Sequence, residues 1–598
     1  MTELYLFHKD RETDPQKRDD QQKDRKNHHF RLGFVMAGAI SAGAYTAGVM
    51  DFIVEALQKW YAKRDSDPDS GENTYHKVTI DVLGGASAGG MCAGIFASAL
   101  RDYQPGTNKP TPQPDVKNVF YKSWVIDVHY KAMVTTTDLR KNEPPNSALN
   151  IEGEDSLMGI RERALGVDGT DQDYPEWLAH PLPIMVTLGN TRGVPFALHF
   201  NALNQYSAKH GMLQHADHLI FSLSSDGTER HENARPLKFK FKGYKGDANW
   251  EEFGQATLAT GAFPGAFAPQ MITRPPSDYD NRWISVANQS GPPSWHQIKP
   301  AWPGGPDDPF QFYSIDGGTF NNEPMELVRR ALADHTGRNE RDIKKATRMV
   351  VMVDPFPEGV DYEEDWREFG TLTGSLLRIL TAFKGQSRLK VEDLALFGNR
   401  AVGSRFIIAP TSDRNRRRPL ACGSVGAFGG LLKREWRHHD YLLGRLNAQK
   451  FLSDVFVVPQ DHEALNGVSF RQLSSSGNVR IIPLVDGMDD PGAAVEGIGQ
   501  RDARGTPNYQ VPWPEGLTRS EIDDIAGEFH ARLKAVLKAQ FAGNTTERSF
   551  FGKIGSFFKG IATAILAGPV LLYINSKSKK KLADLLAKQL EGYDLLKR

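Results

Sequence analysis

Cysteine is nearly absent. The 598-residue chain holds two, Cys92 and Cys422, too few for a disulfide framework or a structural zinc site. Both read as small buried apolar residues, and their scarcity fits a reducing compartment. Net charge is missing too. Lys and Arg total 73, and so do Asp and Glu, so no basic excess points to nucleic acid. The N-terminus lacks an apolar core: from His8 to His29 nearly every side chain is charged or an amide. That excludes a secretory signal there and predicts a cytoplasmic protein. Residues 1–28 are expected to form a disordered charged segment. No repeat of fixed period, Walker A motif or dinucleotide fingerprint occurs.

What is present is an alternation of strands and helices. Arg31 to Met36 reads as a short buried strand, Ala37 to Gly48 as a small-residue stretch, and Val49 to Trp60 as a helix by its apolar spacing. The pattern repeats with a strand from Lys77, a Gly/Ala/Ser turn at 84–90 and an apolar helix from Met91 to Leu100. Pro181 to Leu188 and Met349 to Val353 are further buried strands. Such alternation predicts a three-layer α/β/α domain with a mainly parallel sheet, placed at residues 29–360. Residues 101–118 and 275–310, rich in Pro, Gly, Asp and Asn, read as loops. A mostly helical accessory region is expected at 361–545, with a helix pair over Arg434 to Val457. The tail at 546–598 is apolar, then basic.

The sharpest chemical signal is Gly85-Ala86-Ser87-Ala88-Gly89. It fits G-x-S-x-G between a strand and a helix, the setting of a nucleophile elbow. A serine on so sharp a turn takes a strained backbone shape and needs tiny neighbours. Every neighbour from Gly84 to Gly90 is Gly or Ala. The following helix N-terminus favours developing negative charge.

A serine needs a base. None of the 17 histidines has a setting that recommends it; His215 and His218, His438-His439-Asp440 and His462-Glu463 read as surface or supporting groups. Asp316 has the better setting. It ends the apolar run Phe312-Tyr313-Ser314-Ile315 and precedes Gly317-Gly318. A carboxylate at a strand end lies where α/β active sites collect.

Together, Gly43 to Val49, the Gly85–Gly89 elbow, Ala262 to Pro269 and Asp316-Gly317-Gly318, in that order, resemble the patatin-like phospholipase family over about residues 29–360. The resemblance implies a serine acyl hydrolase of lipid esters with a Ser–Asp dyad: Ser87 as nucleophile, Asp316 as base, and no metal or organic cofactor. The family's oxyanion loop is a run of three glycines. Here the matching positions are Gly38, Ala39 and Ile40, and Ile40 lacks glycine's freedom at positive φ. Two other readings stay open: a catalytically weak scaffold that docks on a membrane or a partner, and a conventional α/β-hydrolase with a triad histidine.

Four segments carry lesser expectations. Ser549 to Asn575 with the basic residues Lys577 to Lys581 reads either as an interfacial helix at the inner face of a membrane or as a core helix. Arg414, Arg416, Arg417 and Arg418 form a basic loop that could meet lipid headgroups. Glu364 to Phe383 reads as an amphipathic core helix, with a lid as the second choice. Asp168, Asp171 and Asp173 depart from the calcium-loop order and read as a polar loop.

Overall fold

The computed structural model describes the strand Tyr5–Leu6 and residues 20–597, apart from 69–70, 72, 142, 169–171, 201–207, 229–232, 241–244, 281, 287–293, 334–337, 358–387, 390, 412–417, 500–509 and 541–578. Its centre is a nine-stranded sheet. The strands are β1 (His29–Met36), β2 (Lys77–Gly85), β3 (Leu182–Phe200), β4 (Ala208–Ser224), β5 (Arg235–Lys238), β6 (Gln270–Arg274), β7 (Phe310–Asp316), β8 (Arg348–Val353) and β9 (Arg405–Ile408).

From β9 through β8, β1 and β2 to β3, every neighbouring pair is parallel. Strands β4, β7 and β6 add antiparallel pairings beyond. The parallel strands read as continuous apolar runs because both faces are covered; every residue of β8 is buried. Alternation along β1 sorts the two faces. Phe34 and Met36 join the large cluster formed with α2 (Gly43–Ser66), α3 (Ala88–Ala99) and α5 (Ala248–Thr260), which follows α4 (Leu157–Leu165). Val35 joins Val82, Met185, Val350 and the helix α6 (Met325–Leu332) on the other side. The three layers expected from the sequence are therefore present.

Helix α2 is long and apolar enough to cross a membrane by composition, yet 89% of its most apolar window is buried inside the protein. It packs against α7 (Arg434–Lys450). Glycines permit the approach: a Cβ at Gly48 would lie 2.0 Å from the Tyr441 carbonyl oxygen, and one at Gly444 would lie 2.2 Å from that of Tyr45. Arg445 reaches back across this seam to pair with Asp51 and, at 2.9 Å, with Glu55.

Several expectations are corrected. Residues Asp20–Lys26 within the segment expected to be disordered form a helix, α1. Asp24 accepts hydrogen bonds from Arg31 Nε at 2.8 Å and Arg348 Nε at 2.7 Å, so arginines from the sheet satisfy charge that looked unpaired. Residue 360 is not a boundary of the core, because β9 extends the sheet beside β8 and α7 docks on α2. Arg434 to Val455 is one helix closed by a π-helical turn at Phe451–Val455, not a helix pair. Within 275–310, Arg282–Val286 and Ser294–Ile298 form a hairpin that pairs with Tyr5–Leu6.

The basic residues Lys579 to Lys581 open a helix, α9 (Lys579–Glu591), that buries Leu582, Leu586 and Leu590 near α8 (Arg519–Gln540). Arg418 stacks over Tyr593 at 4.7 Å and so pins the end of α9. Asp173 pairs with Lys240 at 2.7 Å. Residues 364–383 and 549–575, together with Arg414, Arg416, Arg417 and Asp171, lie outside the described residues.

Candidate active site

Strand β3 acts as the ruler of the site. Strand β2 pairs with its residues 184–186, with Gly85 opposite Val186. Strand β7 pairs with residues 188–190, with Asp316 opposite Leu188. Strand β4 pairs along residues 182–189 of β3 as well. A strand has only two edges, so β2 and β7 must share one of them. The first runs parallel to β3 and the second antiparallel, so their C-terminal ends meet head to head.

Ser87 stands just beyond the end of β2, with φ 51° and ψ −126°. A non-glycine residue there is strained and persists only where its surroundings over-determine it. Three contacts do so. The Ala86 amide donates to the Met36 carbonyl at 3.1 Å. The Ser87 amide donates to Thr260 Oγ1 at 2.8 Å. Gly89 is pressed so tightly on β1 that a Cβ would lie 2.1 Å from the Met36 carbonyl oxygen.

Asp316 closes β7. Its amide donates to the Ala262 carbonyl at 2.8 Å, and its Oδ1 accepts from the Gly318 amide at 2.7 Å. Gly317 lies against Thr187, where a Cβ would come within 2.3 Å of the carbonyl oxygen. Oδ2 is thereby aimed at Ser87, and Ser87 Oγ donates to it at 2.7 Å. Both residues are buried, at 6% and 5% exposure, so little water competes for the bond.

The three residues expected to form the oxyanion loop divide. Gly38 abuts the serine: a Cβ there would lie 3.0 Å from Ser87 Cβ and 2.5 Å from Asn322 Oδ1. Its amide is already directed to the Asn322 carbonyl, at 3.3 Å. The amides of Ala39 and Ile40 donate to no protein group among the described residues. Ile40 takes φ 48°, the region that glycine enters freely, and lines the same cavity as Ser87.

That cavity encloses about 850 Å3 of empty space including its mouth. Met91, Ile95, Leu157, Ile160, Phe263 and Phe267 line it, and apart from Arg161 its lining is small, hydroxyl-bearing or apolar. The stretch Ala262 to Pro269 thus has a double role: Ala262 fixes Asp316, while two phenylalanines face the cavity.

Four of the candidate histidines are hydrogen-bonded to groups other than Ser87 and Asp316. His215 Nδ1 bonds the Asn190 carbonyl at 2.7 Å, His438 meets Tyr121 at 2.9 Å, His439 meets Asp440 at 2.8 Å, and His462 caps the Ala464 amide at 3.0 Å. His218 is buried, and burial lowers its pKa to about 3. Among the described residues, no group of three His, Cys, Asp or Glu side chains could hold a metal ion.

Sequence reasoning missed Thr260 and Asn322. Thr260 closes α5, and no motif marks it. Asn322 is held through its side chain: Nδ2 donates to Glu323 at 2.7 Å, and Arg388 bridges Glu323 at 3.0 Å to Asp354 at 2.8 Å. Burial pushes the Glu323 and Asp354 carboxyls up from their ordinary values, against the pull of Arg388.

The family model for patatin-like phospholipase matches residues 34–329. An uncharacterized protein, y4iI, of Sinorhizobium fredii is 32% identical over 513 residues, covering 76% of this chain and 71% of that protein. The crystal structure of VipD from Legionella pneumophila aligns over 94% of this chain and 91% of that chain at 10% identity. Its TM-score is 0.18, too low to speak for a shared fold.

Proposed function

Since the chain belongs to the patatin-like phospholipase family, whose members are generally lipid acyl hydrolases, we propose that it cleaves acyl esters of lipids through Ser87 and Asp316. The observation that supports this most directly is the 2.7 Å hydrogen bond from Ser87 Oγ to Asp316 Oδ2. In the reaction, Asp316 accepts the hydroxyl proton as Ser87 Oγ adds to the ester carbonyl carbon. The carbonyl oxygen gains the electron pair and is met by the amides of Ala39 and Ile40, which carry no other load among the described residues. Collapse breaks the bond to the alcohol, which leaves with the proton held by Asp316. Water, deprotonated by the same carboxylate, then releases the acid from Ser87. The apolar cavity beside Ser87 takes the acyl chain.

The test is product analysis on a panel of defined phospholipids, lysophospholipids and acylglycerols. Ser87→Ala and Asp316→Asn are each expected to lose about a thousandfold or more in kcat, while both proteins keep the wild-type melting temperature within a few degrees. Equal rates in wild type and Ser87→Ala would refute the dyad. A single histidine variant that folds and is dead would refute it in favour of a triad.

A further inference from the structure

An isoleucine at φ 48° is out of place on conformational grounds, because a β-branched residue strongly disfavours the left-handed region. Something outside the oxyanion loop must hold it there. The contacts of the next residue, Ser41, supply the hold. Its amide donates to the Ala427 carbonyl at 3.2 Å. Its hydroxyl donates to the same carbonyl at 2.6 Å and accepts the Gly430 amide at 3.0 Å. Ser41 is 2% exposed, so water does not replace these bonds.

The loop that provides them, residues 421–431, lies far beyond the segment matched to the family. It is itself tightly held. Val425, Gly426 and Ala427 take φ 52°, 62° and 71° in succession. Asp440 on α7 accepts the amides of Ala421 and Cys422, both at 2.9 Å, and Arg437 Nη1 donates to the Gly430 carbonyl at 2.6 Å. A Cβ at Gly430 would lie 2.7 Å from Ser41 Oγ, so only glycine lets the two loops approach.

We propose that Ser41 is a positioning residue: clamped by Ala427 and Gly430, it fixes Ile40 in the left-handed conformation and so aims the oxyanion amides. The inference rests on the oxyanion reading of Ala39 and Ile40 given above. What three glycines would adopt freely is imposed here from the C-terminal part of the chain.

The test combines steady-state kinetics with amide hydrogen–deuterium exchange over residues 38–42. Ser41→Ala is expected to lower kcat by about tenfold to a hundredfold, since misaimed oxyanion donors cost somewhat less than a lost one, with KM changed less than about twofold. Exchange at 38–42 quickens in the same variant. In the double variant Ile40→Gly with Ser41→Ala, glycine takes the conformation without the clamp and most of the lost kcat returns. A merely structural serine would give no such rescue. Should Ser41→Ala fail to fold, Ser41→Cys weakens the hydrogen bonds with a somewhat larger side chain, and is assayed under a reductant because the Cys422 thiol lies beside it.

Unchanged exchange in Ser41→Ala would overturn the clamp. Faster exchange with unchanged kcat in an active enzyme would overturn its catalytic consequence. If the wild type shows no Ser87-dependent turnover, the acyl hydrolase reading falls instead, and the exchange measurement still decides whether Ser41 holds the loop.

Discussion

At the scale of the residue, strain and its relief decide the site. Ser87 holds φ 51° because the Thr260 hydroxyl receives its amide at 2.8 Å. Thr260→Val keeps the shape and deletes that acceptor, leaving a buried donor unpaired. The expected outcome is a stability loss of about 1–3 kcal/mol by urea denaturation, with kcat falling more than KM changes. Gly89→Ala is expected to be worse: its Cβ would meet the Met36 carbonyl oxygen at 2.1 Å, so either the elbow opens and turnover vanishes or the protein does not fold. Buried histidines set the response to acid. His76, His438 and His462 are lowered to about 4 and His218 to about 3, in each case chiefly by burial. The unfolded chain titrates near 6.5. Below that value it binds protons that the folded chain refuses, so stability is fully present above about pH 6.5 and drains away as pH falls toward about 4. Urea midpoints at about pH 7 and about pH 5 check the sign: the second should be lower.

At the scale of the element, the seam between α2 and α7 is set by close backbone approach. Gly48 and Gly444 face backbone carbonyls, not flexible side chains, so neither neighbour can give way. Gly48→Ala is expected to cost about 3 kcal/mol, at the upper end of overpacking, read as a lowered melting temperature. Arg445→Ala acts on the same seam by charge. It leaves Asp51, 0% exposed, without its cation, and removal of one partner of a buried pair costs about 3–5 kcal/mol. Replacing Asp51 by Asn in the same chain should return part of that loss, since no naked carboxylate would remain.

At the scale of the whole molecule, the C-terminal region and the family segment share one core. Leu446, Phe529 and Leu586 belong to the same buried cluster as Phe34 and Val49. Arg532 on α8 reaches the Ala148 carbonyl at 3.0 Å and Asp138 at 2.6 Å. A chain cut after residue 360 would bare the α2 seam and the outer edge of β8. It is expected to aggregate or to lose its near-ultraviolet circular dichroism, whereas the full chain melts in one cooperative transition. A stable, soluble fragment with sharp thermal unfolding would contradict the shared core.

The sequence by itself determined the local grammar: buried parallel strands as continuous apolar runs, an elbow whose neighbours must be tiny, and an aspartate at a strand end before two glycines. These are short-range requirements, written where they act. What only the tertiary structure decided is which distant groups meet. The head-to-head arrival of β2 and β7 along one edge of β3, the Thr260 acceptor and the Ser41–Ala427 contact leave no local pattern, because each joins backbone or hydroxyl groups that almost any sequence could supply. The helix at Asp20–Lys26 and the strand at Arg405–Ile408 escaped for the same reason: partners elsewhere in the chain, Arg348 for the helix and β8 for the strand, stabilise them more than their own composition does.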